Sequence, residues 1–167
     1  MDFSLEKWDK KFIDDVTKYA NNPKIATNLR NIFPNPYTKT DAEWYVTDCA
    51  ENDESKQCTR AIVVAGHAVG SIGLFVQGDV YEKSAELGYW LAEDFWRKGI
   101  MTKAVKILSK FGFENYDIVR IFAEPYADNF GSRGVLEKAG FSLEGVLKKS
   151  VYKNEKFHDS CIYSLLK

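Results

Sequence analysis

The sequence of 167 residues predicts a mixed α/β fold, a mostly antiparallel sheet of about seven strands flanked by about four helices. Three observations support this prediction. Hairpin signals in the middle and at the C-terminal end favour antiparallel strands. Between them, helical and strand patterns alternate, which favours a parallel pair with crossover helices. No repeat and no Pro-, Gly- or Ser-rich linker divides the chain, so residues 1–167 are expected to form a single domain.

The N-terminal third is predicted to be mainly helical. A short strand at residues 3–8 precedes a helix at residues 10–21, whose apolar residues recur at helical spacing until Pro23 ends it. Further on, Thr40 and Glu43 fit a capping box that opens a second helix. The apolar stripe of that helix is expected to face the core: Ala42, Tyr45, Val46, Cys49 and Ala50.

The middle of the chain is predicted to be β-structure. After a polar loop at residues 51–57, residues 60–65 and 69–77 form two strands joined by a turn at Gly66-His67. Residues 84–91, which are rich in aromatic side chains, form a third strand.

Helix and strand alternate in the last third. Apolar residues at helical spacing after Gly99 predict a crossover helix, and residues 118–124 form the next strand. Asp128 or Asn129 can cap the helix that follows, and Gly140 ends it. Two final strands pair with each other: residues 141–152 and 156–166, with Asn154 at the turn.

The composition excludes several classes of protein. Lysine and arginine number 23 against 24 aspartate and glutamate, a net charge of −1, which excludes a nucleic-acid reader that depends on a bulk basic field. The charged N-terminus is unlike a signal peptide, and no apolar run approaches the ~20 residues of a membrane span. The cysteines and histidines lack zinc-site spacing, so no metal is expected. We expect a soluble, cytoplasmic protein.

Two segments carry candidate chemistry, and the motifs of P-loop, dinucleotide-binding and serine-hydrolase proteins are absent. In the turn at residues 96–102, Gly99 allows a close backbone approach, and the free N–H groups of the following helix suit a phosphate. Positive charge from Arg97, Lys98 and Lys103 surrounds it, although a plain basic loop is the alternative. Downstream, Asn129 and Ser132 lie one helical turn apart, either as a binding pair or as a simple helix cap.

Together these segments resemble the GNAT acetyltransferases, whose acetyl-CoA loop is usually Q/R-x-x-G-x-G/A. Here residues 96–101 read Trp-Arg-Lys-Gly-Ile-Met, so the first and last positions depart from that pattern. The resemblance is closest to the RimJ/RimL-like branch, which acetylates the N-termini of ribosomal proteins. It extends over nearly the whole chain, in the segments 33–38, 41–42, 86–91, 129–141, 144–145 and 153–159.

The resemblance implies the GNAT fold, in which central parallel strands splay and acetyl-CoA lies in the gap. Trp90 and Leu91 would line the pantetheine channel, and backbone N–H groups there would form an oxyanion hole. Asn129 would position the pantetheine or the substrate, and Lys138 is a weaker candidate for the nucleotide end, since it can simply oppose the helix dipole. The pyrophosphate would be held by the amides of Arg97, Lys98, Gly99, Ile100, Met101 and Thr102.

The expected reaction needs a base and an acid. An amine acceptor arrives mostly as ammonium and must lose a proton before it attacks the thioester. Glu86 is the preferred base, directly or through water, with a purely structural glutamate as the alternative. The resemblance implies Ser132 as the acid for the CoA thiolate, because the RimJ/RimL-like branch uses a serine three residues after the asparagine. The tyrosine that many GNAT enzymes carry seven residues after the asparagine is Leu136 here. Four aromatic residues are expected to line the acceptor site, and the last two are alternative acids: Phe33, Tyr37, Tyr89 and Tyr152.

The predicted activity is therefore transfer of an acetyl group from acetyl-CoA to a primary amine by direct attack in a ternary complex. The acceptor is either a protein N-terminal α-amine or a small amine, and the sequence does not decide between them. The alternative is a non-catalytic acyl-CoA-binding sensor or interaction module on the same fold. No nucleic acid or membrane partner is expected, and both a monomer and a homodimer fit.

Overall fold

A computed structural model describes residues 1–167, with seven strands and five α-helices. The strands are β1 (Ser4–Glu6), β2 (Gln57–Val64), β3 (His67–Val76), β4 (Ser84–Leu91), β5 (Arg120–Ala123), β6 (Ser142–Lys153) and β7 (Lys156–Leu166). The helices are α1 (Ile13–Ala20), α2 (Pro23–Ala26), α3 (Lys39–Glu51), α4 (Ile100–Asn115) and α5 (Phe130–Lys138). The predicted number and order of strands are confirmed.

The strands form one sheet in the order β1-β2-β3-β4-β5-β7-β6. β1 pairs with β2, and β7 pairs with both β5 and β6, in the antiparallel sense. β4 and β5 are parallel and are joined through α4, the crossover connection that parallel neighbours require. Their ladder joins Ser84–Glu86 to Arg120–Phe122, and the rest of β4 continues beyond it. The predicted mixed, mostly antiparallel sheet is confirmed.

Two tight turns set the register of the hairpins. Ala65 and Gly66 connect β2 to β3 with φ values of +49° and +84°, so the predicted turn at Gly66-His67 is displaced by one residue. Asn154 and Glu155 connect β6 to β7 with φ values of +51° and +60°, which confirms the predicted turn at Asn154. Left-handed backbone at both central residues matches the twist of the strands on either side.

The predicted N-terminus of α3 is wrong by two residues. Thr38, rather than Thr40, is the N-cap, and Asp41 takes the place predicted for Glu43. The Thr38 hydroxyl accepts a hydrogen bond from the Asp41 N–H at 3.3 Å, and the Asp41 carboxylate accepts one from the Thr38 N–H at 2.7 Å. The Thr38 hydroxyl also donates to the Asp41 carboxylate at 2.7 Å, and this bond and the one from the Thr38 N–H lower the pKa of Asp41. The sequence contains two overlapping matches to a capping box, Thr38–Asp41 and Thr40–Glu43. The extended backbone at Thr38 shows that the first of them forms the cap.

We expect Thr38→Ala to lower the free energy of unfolding by about 1 kcal/mol, because the substitution removes the N-cap acceptor. Thr40→Ala is the matched control, since Thr40 lies within the first helical turn and caps nothing. Urea unfolding of both variants measures the difference. A Thr40 variant that is less stable than the Thr38 variant would contradict the observed cap.

The region after α1 also differs from the prediction. α1 ends at Ala20, and Pro23 opens the single-turn helix α2 instead of ending α1. The Asn22 side chain caps this turn by accepting a hydrogen bond of 2.9 Å from the Lys24 N–H, and proline is well suited to the first helical position, where no N–H is needed. Because α2 is an additional short helix, the chain has five α-helices where about four were expected.

The chain forms two compact units. The first comprises Met1–Gly73 and Tyr89–Ile100, and the second comprises Leu74–Gly88 and Met101–Lys167. The expectation of a single domain therefore stays a prediction. The core of the first unit includes Trp8, Phe12, Val16, Tyr37, Val46, Val63 and Trp90. The most deeply buried side chains of the second unit include Leu74, Val105, Leu108, Ile118, Ile121, Leu136 and Tyr163.

Candidate active site

The loop between β4 and α4 turns through two residues with left-handed backbone. Arg97 has φ +60° and Gly99 has φ +75°, immediately before α4 begins at Ile100. Glycine adopts this conformation without the steric penalty that a Cβ brings. The Trp96 indole N–H donates a hydrogen bond of 2.7 Å to the Leu91 carbonyl, which holds the loop against the end of β4. The predicted glycine turn ahead of a helix is confirmed.

The charge of this loop is not neutralised by carboxylates. Arg97 and Lys98 are exposed and form no ion pair, and the Lys98 ammonium lies 5.4 Å from the centre of the Phe95 ring. Glu93, which lies four residues before Arg97, accepts hydrogen bonds from Lys24 at 2.5 Å and from Asn22 at 2.9 Å. The loop therefore keeps its positive charge.

The start of α4 adds backbone donors to this charge. The first N–H groups of an α-helix have no partner within the helix, and the peptide dipoles give that end a partial positive charge. Ile100 and Met101 anchor the first turn with side chains that are 1% and 6% exposed, whereas Thr102 is half-buried. Unpaired amides beside Arg97 and Lys98 suit a phosphate or pyrophosphate ligand.

The C-terminal end of β4 is packed tightly against β3. Trp90 and Leu91 are each 8% exposed, and the Ala92 N–H donates a hydrogen bond of 2.8 Å to the Val69 carbonyl. A Cβ on Gly70 would lie 2.5 Å from the Trp90 carbonyl oxygen. Only glycine permits this approach. The role predicted for Trp90 and Leu91 in the pantetheine channel stays a prediction.

Three of the predicted site aromatics pack together in the first unit. The Phe33 ring centre lies 5.0 Å from that of Tyr37 and 6.0 Å from that of Trp90. Tyr37 is 5% exposed, and burial, with a smaller contribution from Asp41, raises the pKa of its phenol far above the ordinary value. Tyr37 and Trp90 are thus core residues, whereas Phe33 and Tyr89 are half-buried and keep surface that a substrate can touch.

Tyr152, the last of the four aromatic residues predicted to line the acceptor site, belongs to the second unit. Tyr152 lies on β6 opposite Phe157 on β7, with ring centres 5.0 Å apart. Both side chains are more than half exposed. They form an exposed aromatic pair at the end of this hairpin, and the substrate-binding role of Tyr152 stays a prediction.

Glu86 presents a carboxylate without a partner. It lies half-buried on β4, directly opposite Phe122 of β5 in the parallel ladder. Its neighbours Ala85 and Leu87 are buried, so the alternation of a strand places Glu86 and Phe122 on the opposite face. The structure shows no hydrogen bond or ion pair to the Glu86 side chain. A carboxylate in this state is chemically able to accept a proton.

Asn129 and Ser132 are brought together at the start of α5. Asn129 is the N-cap, and its side-chain oxygen accepts a hydrogen bond of 3.1 Å from the Ser132 N–H. The alternative cap, Asp128, is not used. Both predicted residues are half-buried, and the helix cap, one of the two alternatives for this spacing, is observed. Their cofactor and acid roles stay predictions.

Arg133 holds the segment ahead of this cap in place. Its guanidinium donates a hydrogen bond of 2.8 Å to the Ala127 carbonyl and one of 3.1 Å to the Tyr163 hydroxyl. Tyr163 is fully buried and in turn donates to the Glu137 carboxylate at 2.7 Å. Burial raises the pKa of Tyr163, so the phenol remains a donor. The segment before the cap is thus held by a hydrogen-bond network centred on the buried Tyr163.

The rest of α5 contains the predicted site residue Lys138 and also Leu136, which stands where many GNAT enzymes carry a tyrosine. Lys138 is exposed in the last turn, where its charge also opposes the helix dipole. Leu136, at the position where many GNAT enzymes carry tyrosine, is fully buried. That position is part of the core here and supplies no proton.

Glu124 is a site candidate that the sequence analysis missed. It follows β5 directly, and one carboxylate oxygen accepts a hydrogen bond of 2.8 Å from the Ser160 hydroxyl. The sequence does contain a signal for Glu124, because it lies two residues after Phe122. In an extended chain, residues two apart point to the same face of the sheet. Its partner Ser160 lies 36 residues away in sequence, so the hydrogen bond itself had no local signal.

Three further features were considered: metal-binding clusters, the cysteines and helices long enough to span a membrane. No group of three or more His, Cys, Asp or Glu side chains is arranged to hold a metal ion. All three cysteines are free thiols, and burial raises the pKa of Cys49 and of Cys58. None of the helices combines the length and apolar character needed to cross a bilayer.

Comparison with known proteins agrees with this architecture. The profile of the Acetyltransferase (GNAT) domain matches residues 3–142. The putative ribosomal N-acetyltransferase YdaF of Bacillus subtilis is 39% identical over 89 residues, which cover 53% of this chain and 49% of YdaF. The spermidine N(1)-acetyltransferase of Escherichia coli K12 is 24% identical over 164 residues, 95% of this chain and 83% of that enzyme.

A solved structure extends the match to the whole fold. The acetyltransferase MccE, which confers self-immunity to microcin C7 and was solved with acetyl-CoA and AMP, superposes with a TM-score of 0.83 at 25% identity, covering 99% of this chain and 92% of MccE. The chain spans about half the length of three curated Bacillus subtilis relatives that it matches, YdaF among them. The family profile nevertheless covers most of the described residues, and the chain belongs to the GNAT acetyltransferase domain family.

Proposed function

We propose that this protein transfers the acetyl group of acetyl-CoA to a primary amine by direct attack in a ternary complex. The observation that carries the proposal is the loop ahead of α4, where left-handed Gly99 and the exposed side chains of Arg97 and Lys98 adjoin unpaired helix amides. This is the chemistry that a pyrophosphate needs. The presence of acetyl-CoA and AMP in the MccE structure supports the same ligand.

In this proposal each predicted residue has a distinct role toward the cofactor. The amides from Arg97 to Thr102 bind the pyrophosphate, and backbone N–H groups at Trp90 and Leu91 polarise the thioester carbonyl. Asn129 positions the pantetheine arm. Lys138 is a further candidate for the nucleotide phosphates. These roles follow from the family resemblance together with the local geometry of each segment.

The proton and electron balance requires no further reactant. The ammonium form of the acceptor gives one proton to Glu86, directly or through water, and the free amine attacks the thioester carbon. A C–N bond forms, the tetrahedral adduct collapses, and the C–S bond breaks. Ser132 donates a proton to the departing CoA thiolate and recovers one from the nitrogen as the amide forms. The net products are the acetylated amine, CoA thiol and one proton.

The proposed acceptor is either a protein N-terminal α-amine or a small amine. Two relatives carry names that point to different amines, a ribosomal protein for YdaF and spermidine for the Escherichia coli enzyme. The assay for the proposed function therefore follows release of CoA thiol with Ser- and Ala-initiated hexapeptides, serinamide and spermidine as acceptors. Thiol release that depends on an amine supports acetyl transfer. Binding of acetyl-CoA with no release for any amine would instead support the sensor or interaction module.

Replacing Gly99 with alanine is expected to weaken acetyl-CoA binding by about tenfold, equivalent to about 1.4 kcal/mol. A Cβ at φ +75° strains the loop and displaces the backbone amides from the pyrophosphate. Isothermal titration calorimetry measures the dissociation constant.

Gly66→Ala is the matched control for this substitution. Gly66 has φ +84° in the β2–β3 turn, and neither glycine has an atom within 4 Å of the added Cβ. Both variants should therefore lose similar stability, and only the Gly99 variant should lose affinity. Unchanged affinity in Gly99→Ala would remove the loop from the cofactor site.

A further inference from the structure

Phe75 on β3 lies directly opposite Glu86 on β4. The two strands are neighbours in the sheet, and the Gln77 N–H donates a hydrogen bond of 2.9 Å to the Ser84 carbonyl. Two residues back along β3 and two residues forward along β4 from this bond lie Phe75 and Glu86. Residues that are opposite each other in an antiparallel pair share a face, with Cβ atoms about 5 Å apart.

Gly88 agrees with this register and leaves a gap beside the Phe75 ring. Gly88 lies two residues after Glu86, so both positions are on the same face of β4. A Cβ added to Gly88 would meet one atom within 4 Å, the Phe75 Cε2 at 4.0 Å. The ring thus lies next to Gly88, and the missing side chain leaves space that is bounded by the ring and by Glu86.

This gap is accessible to a ligand. The Phe75 side chain is 38% exposed and Gly88 is exposed, whereas Leu74 and Leu87 are buried on the opposite face of the sheet. An exposed aromatic ring by itself is common on protein surfaces. Here the ring stands beside the carboxylate that is proposed to take the proton of the acceptor, so a bound acceptor comes within its reach.

The other side of Glu86 carries charge. On that side Glu86 is opposite Phe122 of β5, whose ring lies 5.7 Å from the Arg120 guanidinium. Arg120 forms a bidentate ion pair with Glu144, at 2.8 and 2.5 Å. The exposed Glu124 lies two residues after Phe122. An uncharged aliphatic group gains little among these ions.

The β3 side of Glu86 is uncharged. The strand residues that share this face there are Phe75, Gln77, Ser84 and Gly88. The Gln77 side chain donates a hydrogen bond of 2.9 Å to the Phe75 carbonyl, so its amide is turned back onto the strand. An apolar group is favoured on this side, because it covers the ring, whereas a charged group would lose hydration without gaining a partner.

We propose that Phe75 and Gly88 form a subsite for an aliphatic side chain that the acceptor carries on the carbon next to its amine. This inference rests on the proposed acetyl transfer with Glu86 as the base, and it adds a specificity-determining residue. An amine that gives its proton to Glu86 brings its α-carbon close to the Phe75 ring. A carboxylate on that carbon is disfavoured, because Glu86 repels it.

The test compares kcat/KM for thiol release with four hexapeptides that differ only in their first residue, which is Gly, Ala, Leu or Asp. Spermidine is a fifth acceptor, without a side chain next to its amines. The peptide α-amines all have a pKa of about 8, so their protonation is matched. The wild type should prefer the Leu-initiated to the Gly-initiated peptide by about tenfold, with Ala between them and Asp slowest.

Two substitutions should abolish this preference by different means. Phe75→Ala removes the ring and should lower kcat/KM for the Leu-initiated peptide about tenfold, while the Gly-initiated peptide stays within about twofold. Gly88→Val fills the gap and should have the same selective effect. Phe75→Leu keeps an apolar wall and should retain most of the preference. Tyr81→Ala is the matched control, since it truncates an exposed aromatic residue between β3 and β4, and should change nothing.

The Gly-initiated peptide separates loss of the subsite from damage to the fold. Acetyl-CoA affinity, measured by calorimetry, should stay within about twofold in every variant. Equal kcat/KM values for the four peptides in the wild type, or an equal decrease for all four in Phe75→Ala, would overturn the inference while acetyl transfer stands. Acetylation of spermidine and of no peptide would overturn it as well. If no amine promotes thiol release, the proposed function itself fails.

Discussion

Glu86→Gln is expected to lower kcat for acetyl transfer by a factor of about 10² to 10³ at pH 7. Glutamine keeps the shape of the side chain but cannot accept a proton, so the acceptor stays an ammonium ion without a lone pair for attack. Acetyl-CoA affinity should not change, because Glu86 has no assigned contact with the cofactor. The half-buried carboxylate, free of hydrogen bonds and ion pairs opposite Phe122, is the structural basis for this expectation.

The pH dependence distinguishes a missing base from a damaged fold. With an α-amine acceptor of pKa about 8, the neutral fraction rises from about a tenth at pH 7 to about nine tenths at pH 9. The defect of Glu86→Gln should therefore shrink as pH increases, whereas a folding defect would not respond in this way. Steady-state thiol release across this range measures the effect, with Glu114→Gln as the control. A variant with wild-type kcat at pH 7 would show that another group accepts the proton.

Gly70→Ala is expected to lower the free energy of unfolding by about 3 kcal/mol. The added Cβ would lie 2.5 Å from the Trp90 carbonyl oxygen and 3.2 Å from the Leu91 Cα, and both of these atoms belong to the backbone. A flexible side chain could move aside at little cost, but here β3 or the end of β4 must shift. Because this end of β4 is the proposed thioester-binding segment, acetyl-CoA affinity should fall as well.

Gly145→Ala is the control for this substitution. Gly145 also lies in a strand, β6, and its added Cβ would meet no atom within 4 Å. Its free energy of unfolding should change by no more than about 0.5 kcal/mol. Urea unfolding and calorimetry with acetyl-CoA give the two readouts. A Gly70 variant as stable as the Gly145 variant would mean that the two strands do not approach as closely as observed.

Much of the fold follows from short-range patterns. The third strand was predicted with the bounds that β4 shows, Ser84–Leu91, because an apolar and aromatic run between polar segments is a local signal. The loop at Gly99 and the Asn129 cap were predicted for the same reason. The errors were also local: two overlapping capping motifs compete at Thr38 and Thr40, and Pro23 is compatible with either the end of one helix or the start of the next.

By itself, the sequence determined the order of the elements, the family, the glycine turn before α4 and the spacing of Asn129 and Ser132, because residues close in the chain encode each of these features. Only the tertiary structure decided that Glu86 lacks a partner, that Gly70 must be glycine and that Ser160 orients Glu124. These features depend on the register of strands that are distant in sequence. A hydrogen bond across 36 residues forms only once β5 and β7 are paired.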